Sequence, residues 1–346
     1  MPEERAGRIL EAAGIPAGRL ARCRPLSGGT YNTVEELLLT DGSRYVLKTP
    51  PPPDAPGLRH ERELLVSEAE FYRAAATVEV SVPRVVGVSF EESAPTGCHL
   101  LMTAVPGDMW DDRITADEQA ALRAELGRQV ARLHEVTGPG FGYPSGALGP
   151  LAADWRSAFT TMYAAVLDDA RRYEAWLPRS LDAVARTAAS AYDALDEVTV
   201  PRLVHFDLWR GNILVERPED GPDGGPEGGL EGGLGFGSAG RRGESRIGGL
   251  IDGERMFWGD PLADFVSLAL LDDIEKDRDF LTGYQEMGGR AEFTHPARRR
   301  LALYRSYLYL IMLVETIPRD MGEEHAVWLR DTVAPELVAA LDELAR

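Results

Sequence analysis

The stretch LVHFDLWRGNILV, residues 203–215, carries side chains that can do chemistry together. Its polar centre holds His205, Asp207, Arg210 and Asn212. The short apolar runs on either side are typical of buried strand ends, with the polar centre as the loop between them. Phosphoryl transfer needs a carboxylate at the attacking hydroxyl and an oxygen ligand on the metal that neutralises the phosphates. Asp207 and Asn212 could supply both, and a polar turn between two strands is the alternative.

A lysine upstream is a second candidate for phosphate chemistry. The basic residues are nearly all arginine, and the only lysines are Lys48 and Lys276. Lysine is a compact point charge that suits phosphate oxygens, and arginine differs from it in size and geometry. Lys48 ends a strand-like run and is therefore a candidate phosphate ligand. Lys276 lies in the charged stretch DDIEKDRD, which is typical of a solvated helix face, and we assign it no role.

A glycine pair and a β-hairpin precede Lys48. A strand-like run up to Leu39, an Asp41-Gly42 turn and a second strand ending at Lys48 follow the pair, as expected for a hairpin. Glycines let backbone N–H groups approach phosphates closely. We therefore predict a phosphate site, and a plain hairpin with a loose entry loop is the alternative. The residues of the predicted loop are Ser27, Gly28, Gly29 and Thr30.

A helix is predicted after the proline-rich connector at residues 50–56, and its acids are Glu61, Glu63, Glu68 and Glu70. Glu68 shares a face with apolar residues at helical spacing. A carboxylate on such a face is costly unless it is paired, and Lys48 is its natural partner. We choose Glu68 for this pair, with Glu61 as the next candidate and an exposed helix acid as the alternative.

A second metal-binding group is predicted downstream at Asp252. The run Leu250-Ile251 is a short apolar strand that delivers Asp252 into a loop, although an ordinary strand-end turn has the same pattern. Between Asn212 and Asp252 lies a glycine-rich, acidic stretch. Such a composition does not bury a core, so we predict a disordered insertion without function at about residues 217–248.

Composition limits the partners of the chain. It has 37 basic and 56 acidic residues and a formal net charge of −19, which disfavours nucleic acid and anionic membranes and attracts cationic small molecules. Cys23 and Cys98 show neither zinc spacing nor a disulfide framework. The acidic N-terminal stretch lacks the apolar segment of a secretory signal, and no apolar run is long enough to span a membrane. We expect a soluble, cytoplasmic protein, and leave its oligomeric state open.

Taken together, these pieces resemble the aminoglycoside phosphotransferase family. The resemblance rests on HFDLWRGN, which has the H-x-D-x-x-x-x-N spacing of kinase catalytic loops, and then on LIDGE and GDPLADF. The glycine pair, the lysine and the helix glutamate precede them in the same order. Relatives of this family include fructosamine, choline and homoserine kinases. The sequence departs from the family in two respects: Gly253 stands where an aromatic residue is common, and the insertion separates Asn212 widely from Asp252.

The resemblance implies an α+β, protein-kinase-like fold with two lobes. The small N-terminal lobe, residues 1–105, would hold an antiparallel sheet, one key helix and the hinge. The larger C-terminal lobe, residues 106–346, would be mainly helical and would contain the catalytic loop and the insertion.

It also implies the role of each site residue. Residues 27–30 would cover the triphosphate of ATP, and Lys48, steadied by Glu68, would contact its α and β groups. Backbone groups of residues 102–105, from Met102 to Val105, would hold adenine. Asn212 and Asp252 would hold Mg²⁺. Asp207 would align the substrate hydroxyl for in-line attack.

Four other residues receive lesser roles. His205 and Asp264 would brace the catalytic loop. Arg210 would either contact the γ-phosphate or pair with a neighbouring acid. His134 is expected to be a structural residue at a helix end.

The predicted function is transfer of the γ-phosphate of ATP to a hydroxyl of a small, cationic, aminoglycoside-like molecule. A metabolic kinase of the fructosamine, choline or homoserine type and a nucleotide-binding pseudokinase are the alternatives. A protein kinase is less favoured, because no activation-segment ending follows Asp252. Substrate amines would meet acids of the second lobe, although solvated helix positions also explain those acids. The acids in question are Asp154, Asp169, Asp272, Asp273 and Glu315.

Overall fold

The computed structural model describes residues 2–26, 31–217 and 244–346. The predicted phosphate loop at residues 27–30 and most of the predicted insertion lie outside the described residues. The strands are β1 Leu20–Pro25, β2 Thr33–Leu39, β3 Arg44–Thr49, β4 Val85–Ser89, β5 His99–Thr103, β6 Asp108–Met109, β7 Arg202–Val204, β8 Ile213–Glu216, β9 Arg246–Leu250 and β10 Phe257–Gly259. The helices are α1 Pro2–Ala12, α2 Leu64–Ala75, α3 Ala116–Leu133, α4 Trp155–Arg172, α5 Leu181–Ala189, α6 Leu262–Leu268, α7 Arg278–Glu286, α8 His295–Arg319, α9 Glu323–Trp328 and α10 Ala334–Leu344.

An antiparallel sheet in the order β1-β2-β3-β5-β4 forms the first half of the fold. The predicted hairpin is β2–β3, and Gly42 in its turn has a φ of +84°, which glycine adopts without strain. In the register of this hairpin, Lys48 lies opposite Val34 on β2 and Leu100 on β5. Strand β1 was not predicted, because LARCRP exposes most of its side chains and shows no alternation of apolar residues.

Helix α2 packs against this sheet, and it is shorter than predicted. A 3₁₀ turn at Arg59–Glu61 precedes it, and Glu63 then adopts a left-handed φ of +62°, which breaks the helix. The helix buries Leu65, Phe71 and Tyr72. Glu61 therefore lies outside α2, and Glu68 lies on its buried side.

The second half of the fold is mainly helical, and side-chain caps start several of its helices. Thr115 and Glu118 form a capping box at the start of α3, and Asp154 caps α4. Helix α5 ends at Ala189, and a 3₁₀ turn at Tyr192–Glu197 follows it. Two small sheets, β7–β10 and β6–β8–β9, lie among these helices.

Two clusters of buried apolar side chains stabilise the fold. The larger runs from α2 through β7 and β8 to α10, and it contains the rings of Phe71, Phe206 and Tyr307. The smaller packs α1 against the sheet and includes Ile9 and Leu37. Among the described residues, no helix combines the length and hydropathy needed to cross a bilayer.

Candidate active site

The predicted catalytic loop, residues 205–212, lies between β7 and β8 and is held by Asp264 of α6. The fully buried carboxylate of Asp264 accepts hydrogen bonds from the backbone N–H groups of His205 at 3.1 Å and Phe206 at 2.6 Å. His134 contacts the same carboxylate through Nε2 at 2.9 Å. Asp264 therefore braces the loop, and His134 is structural because it fixes Asp264.

The backbone of the loop turns sharply before Asp207. Phe206 has a φ of +64°, a conformation that is rare outside glycine, and its ring is buried against Phe257. The N–H of Asp207 donates to Nδ1 of His205 at 3.2 Å, so Nε2 of this ring carries the proton and donates to the carbonyl of Ile251 at 3.0 Å. His205 thus joins the catalytic loop to the end of β9.

Asp207 presents its carboxylate to an open space. Nδ2 of Asn212 donates to the main-chain oxygen of Asp207 at 2.8 Å and to its Oδ2 at 3.0 Å. The Asp207 side chain remains 23% exposed, whereas Arg255, 3.9 Å from Oδ2, is 12% exposed. Burial raises the pKa of Asp207, and the guanidinium of Arg255 partly offsets this rise.

Lys48 lies between two carboxylates. Its Nζ is 2.7 Å from Oε1 of Glu68 and 2.5 Å from Oδ1 of Asp252. Burial lowers the pKa of the Lys48 ammonium, but the two carboxylates outweigh burial and raise this pKa well above its usual value. Glu61 instead pairs with Arg319, so Glu68 is the partner of Lys48.

Tyr72 links these groups across the fold, and the sequence analysis did not identify it. Its hydroxyl donates to Oε1 of Glu68 at 2.9 Å and accepts a hydrogen bond from the backbone N–H of Asp252 at 2.9 Å. Burial raises the pKa of Glu68, while Lys48 acts in the opposite direction. The pKa of Asp252 is lowered, because Lys48 outweighs the effect of its burial. The result is an ionised Asp252 fixed beside the lysine.

The β8–β9 hairpin brings Asn212 and Asp252 to the same end of a small sheet. Ile213, which follows Asn212, lies opposite Leu250 on β9. The N–H of Ile251 then donates to the carbonyl of Asn212 at 3.0 Å. Strand pairing therefore brings Asn212 and Asp252 together, although they are far apart in sequence.

Gly253, the departure from the family pattern, has a structural reason. A Cβ at this position would lie 2.3 Å from a carbon of the Phe71 ring on α2. Phe71 is fully buried and packs edge-on against His205, with ring centroids 4.8 Å apart. A side chain after Asp252 would therefore collide with the Phe71 ring, which explains the glycine at this position.

Glu254 and Asn32 are site residues that the sequence analysis missed. Oε2 of Glu254 accepts a hydrogen bond from Nδ2 of Asn32 at 2.7 Å, although the two residues are 222 positions apart. Burial, with Asp252 as the next cause, raises the pKa of Glu254 to about 8. Oxygens of Glu254, Asp252 and Glu68 lie within 4.8 Å of one another. The position of Glu254 two residues after Asp252 was a usable signal in the sequence, whereas nothing marked Asn32.

The predicted hinge begins inside β5 and continues beyond the end of the strand. Met102 is buried inside β5 and lies opposite Val46 on β3 and Val85 on β4, so its backbone belongs to the sheet. Val105 lies beyond the strand end and packs over Gly249 of β9, where a Cβ would lie 2.5 Å from the valine side chain. Of the two predicted adenine contacts, Val105 therefore has its backbone outside the sheet, whereas Met102 has its backbone in a strand.

The remaining polar candidates take part in other contacts. Arg210 pairs with Asp112 at 3.2 Å, which is the second of its two predicted alternatives. Lys276 is exposed and pairs with Asp272, as expected for a solvated helix face. Of the acids considered for substrate amines, Asp154 and Asp273 cap helical turns, Asp169 accepts the backbone N–H of Arg59, and Glu315 pairs with Arg255.

Comparisons with solved structures agree with this architecture. A candidate fructosamine-3-kinase from Thermobifida fusca YX-ER1 aligns with a TM-score of 0.63 and 20% identity over 98% of this chain and 99% of its own. The aminoglycoside phosphotransferase APH(4)-Ia aligns with a TM-score of 0.61 and 16% identity over 98% of both chains. A candidate aminoglycoside phosphotransferase from Ralstonia eutropha JMP134 aligns at 0.60 and 14% identity over 99% and 98%. These likenesses confirm the protein-kinase-like α+β fold.

The sequence itself identifies the family. No curated protein matches the chain significantly. The model of a family described as "Phosphotransferase enzyme family" matches residues 22–225, which include Lys48, Asp207 and Asn212. This match covers more than half of the chain and confirms the predicted enzyme class, an ATP-dependent small-molecule kinase. The chain belongs to the phosphotransferase enzyme family.

Proposed function

We propose that this protein transfers the γ-phosphate of ATP to a hydroxyl group of a small, cationic molecule. One observation carries the proposal: Asp207, Asn212, Asp252 and Lys48 belong to a single connected set of contacts. Each has the chemistry that one part of phosphoryl transfer requires, namely acceptor alignment, metal binding and phosphate neutralisation. A pseudokinase that only binds nucleotide would not need the complete set.

The nucleotide would lie between the sheet and the catalytic loop. Residues 27–30 would cover the phosphates, and Lys48 would contact them while Glu68 and Tyr72 fix its position. Val105 would hold adenine through its backbone, together with a smaller contribution from the strand end after Met102. We propose that the N-terminal lobe ends here, at residue 105.

Asn212 and Asp252 would hold Mg²⁺. Their amide and carboxylate oxygens are hard ligands of the kind that Mg²⁺ prefers. Asn212 uses its Nδ2 on Asp207, so its Oδ1 remains available, and the Asp252 side chain is 36% exposed. The buried Oε2 of Glu68 has no hydrogen-bond partner among the described residues, which fits a site that is completed by a cation or its water shell. The ion, when bound, would neutralise charge on the phosphates.

Asp207 would accept a hydrogen bond from the acceptor hydroxyl and hold it in line with the γ-phosphate. If the transition state is loose, this alignment contributes more than removal of the proton does. The exposed part of the Asp207 carboxylate gives the hydroxyl access to it.

A cationic acceptor is favoured by the net charge of −19. Two structural neighbours also bind aminoglycosides: APH(4)-Ia in a complex with ADP and hygromycin B, and APH(2")-IIa in a complex with gentamicin. A fructosamine-type acceptor is the second candidate, because the candidate fructosamine-3-kinase aligns with a TM-score of 0.63. Both cysteines are free, which supports the proposed cytoplasmic location.

A screen of acceptors tests the proposal. ATP consumption is measured with hygromycin B, gentamicin, a fructosamine, choline and homoserine, with and without Mg²⁺. We expect Mg²⁺-dependent turnover with at least one amine-bearing acceptor. Nucleotide binding without turnover on any of these acceptors would favour the pseudokinase and overturn the proposal.

A further inference from the structure

We propose that Arg255 and Glu315 form a positioning pair for Asp207: Arg255 fixes one oxygen of the Asp207 carboxylate, and Glu315 fixes Arg255. This inference rests on the proposed function, because it assigns Asp207 to the acceptor hydroxyl. It concerns α8, which lies beyond the residues that match the family model. From the sequence, Glu315 was a possible amine ligand and Arg255 had no assigned role.

Arg255 reaches Asp207 from the turn that also carries Asp252. This 3₁₀ turn, Gly253–Arg255, follows Asp252 directly. The guanidinium Nε lies 3.9 Å from Oδ2 of Asp207, and the side chain is 12% exposed. One rigid turn therefore fixes both a proposed metal ligand and a cation beside the proposed acceptor site.

Both contacts to the Asp207 carboxylate involve the same oxygen. Asn212 donates to Oδ2 at 3.0 Å, and Arg255 lies near Oδ2 as well. Within the described part of the chain, Oδ1 has no hydrogen-bond partner. The two contacts therefore restrict rotation of the carboxylate and leave Oδ1 for the acceptor hydroxyl.

Glu315 binds Nη2 of the Arg255 guanidinium. Its Oε2 accepts a hydrogen bond at 2.7 Å, and its side chain is 10% exposed. Arg319, one turn later on α8, lies 3.3 Å from the same oxygen and also pairs with Glu61. An ion pair this well buried keeps a defined geometry, because separating its charges would leave one of them desolvated and unpaired. The position of Arg255 is thus set by α8.

The test compares Arg255→Gln and Glu315→Gln with wild type, using MgATP and the acceptor with the highest turnover in the screen above. Loss of alignment should lower kcat about 10- to 100-fold in Arg255→Gln, with KM for ATP nearly unchanged. In Glu315→Gln, which leaves Arg255 beside Asp207 without its support, kcat should fall less, by about 3- to 10-fold. Arg255→Lys, which keeps the charge, should restore only part of the rate.

Arg156→Gln is the matched control, because Arg156 forms an exposed pair with Asp196 on the surface, and its kinetics should equal those of wild type. A kcat in Arg255→Gln equal to that of wild type, or a rise in KM for ATP as large as the fall in kcat, would overturn the proposal. Wild type separates the two possible failures. An active wild type with an unchanged Arg255→Gln contradicts only this inference, whereas a wild type without turnover on any acceptor contradicts the proposed function.

Discussion

At the scale of single residues, Lys48 shows how the site balances its charges. Its ammonium is surrounded by Glu68 at 2.7 Å, Asp252 at 2.5 Å and Glu254 at 4.0 Å. The carboxylates of Glu68 and Asp252 outnumber this ammonium, and Glu254, with its pKa raised to about 8, adds a further negative charge only above that pH. A bound cation would reduce this excess, which accords with the proposed use of Mg²⁺.

Replacement of Lys48 should weaken both nucleotide binding and the fold. In Lys48→Met, Glu68 loses its ion-pair partner while it remains fully buried, so we expect the free energy of unfolding to fall by about 3 kcal/mol. The Kd for ATP should rise as well. Chemical denaturation and nucleotide titration measure the two effects. Lys276→Met, at the exposed lysine, should change neither by more than about 0.5 kcal/mol, and equal effects of the two variants would contradict the assignment.

His60 predicts how stability depends on pH. It is buried and stacks on Tyr143, and burial lowers its pKa to about 3. The unfolded chain binds a proton at His60 near pH 6.5, roughly the usual value, so acid favours unfolding in the window between these two pKa values. When the pH is lowered from about 6.5 to about 4.5, the free energy of unfolding should fall by about 2 kcal/mol more in wild type than in His60→Phe. Urea denaturation measures this difference. An equal fall of the free energy of unfolding in both proteins would contradict the buried, neutral state of His60.

At the scale of elements, α2 and the turn after β9 fit together through complementary side chains. Phe71 of α2 fills the space beside Gly253, and Tyr72 of α2 binds the backbone of Asp252. The position of Asp252 thus depends on a helix that is distant in sequence. Pairing of Lys48 with Glu68 was predictable, because each residue carried its own local signal. The contacts of Tyr72, Asn32 and Arg255 were not, because they arise only when distant elements pack.

A pair of substitutions tests this fit. Gly253→Phe restores an aromatic residue at the family position, but it should destabilise the protein by about 1–3 kcal/mol because it collides with Phe71. Adding Phe71→Ala should recover part of the loss, as expected for residues in contact. Thermal denaturation of the two single variants and the double variant measures the coupling. Purely additive effects would show that the two positions do not share one space.

At the scale of the whole molecule, the fold was predictable from the order of the motifs. The boundaries of some elements and the contacts between them were not. The order of the lysine, the helix glutamate, the catalytic loop and Asp252 was sufficient to predict a protein-kinase-like fold. The exposed strand β1, the break before α2 and the packing of Val105 on Gly249 carry no local pattern of hydropathy. They follow from how the sheet and helices meet, which periodicity does not encode.

The predicted insertion offers a test at this scale. Glu216 and Arg246 lie opposite each other at the ends of β8 and β9, and their side chains pair at 2.8 Å. The two strand ends therefore lie close enough to be joined by a short turn. Loop length itself has little effect on the free energy of folding, because the entropic cost of loop closure grows only slowly with length. Replacing residues 218–243 with a short Gly-Ser linker should leave kcat and KM within about twofold of wild type. A large loss of turnover would show that the replaced segment has a function.

The most direct test of the central claim, that Asp207 aligns the acceptor at a phosphoryl-transfer site, is to measure turnover and ATP affinity in Asp207→Ala. Because Asp207 is proposed to contact the acceptor and not the nucleotide, turnover should fall about 10²- to 10⁴-fold while the Kd for ATP stays near that of wild type. Full activity in this variant would contradict the claim.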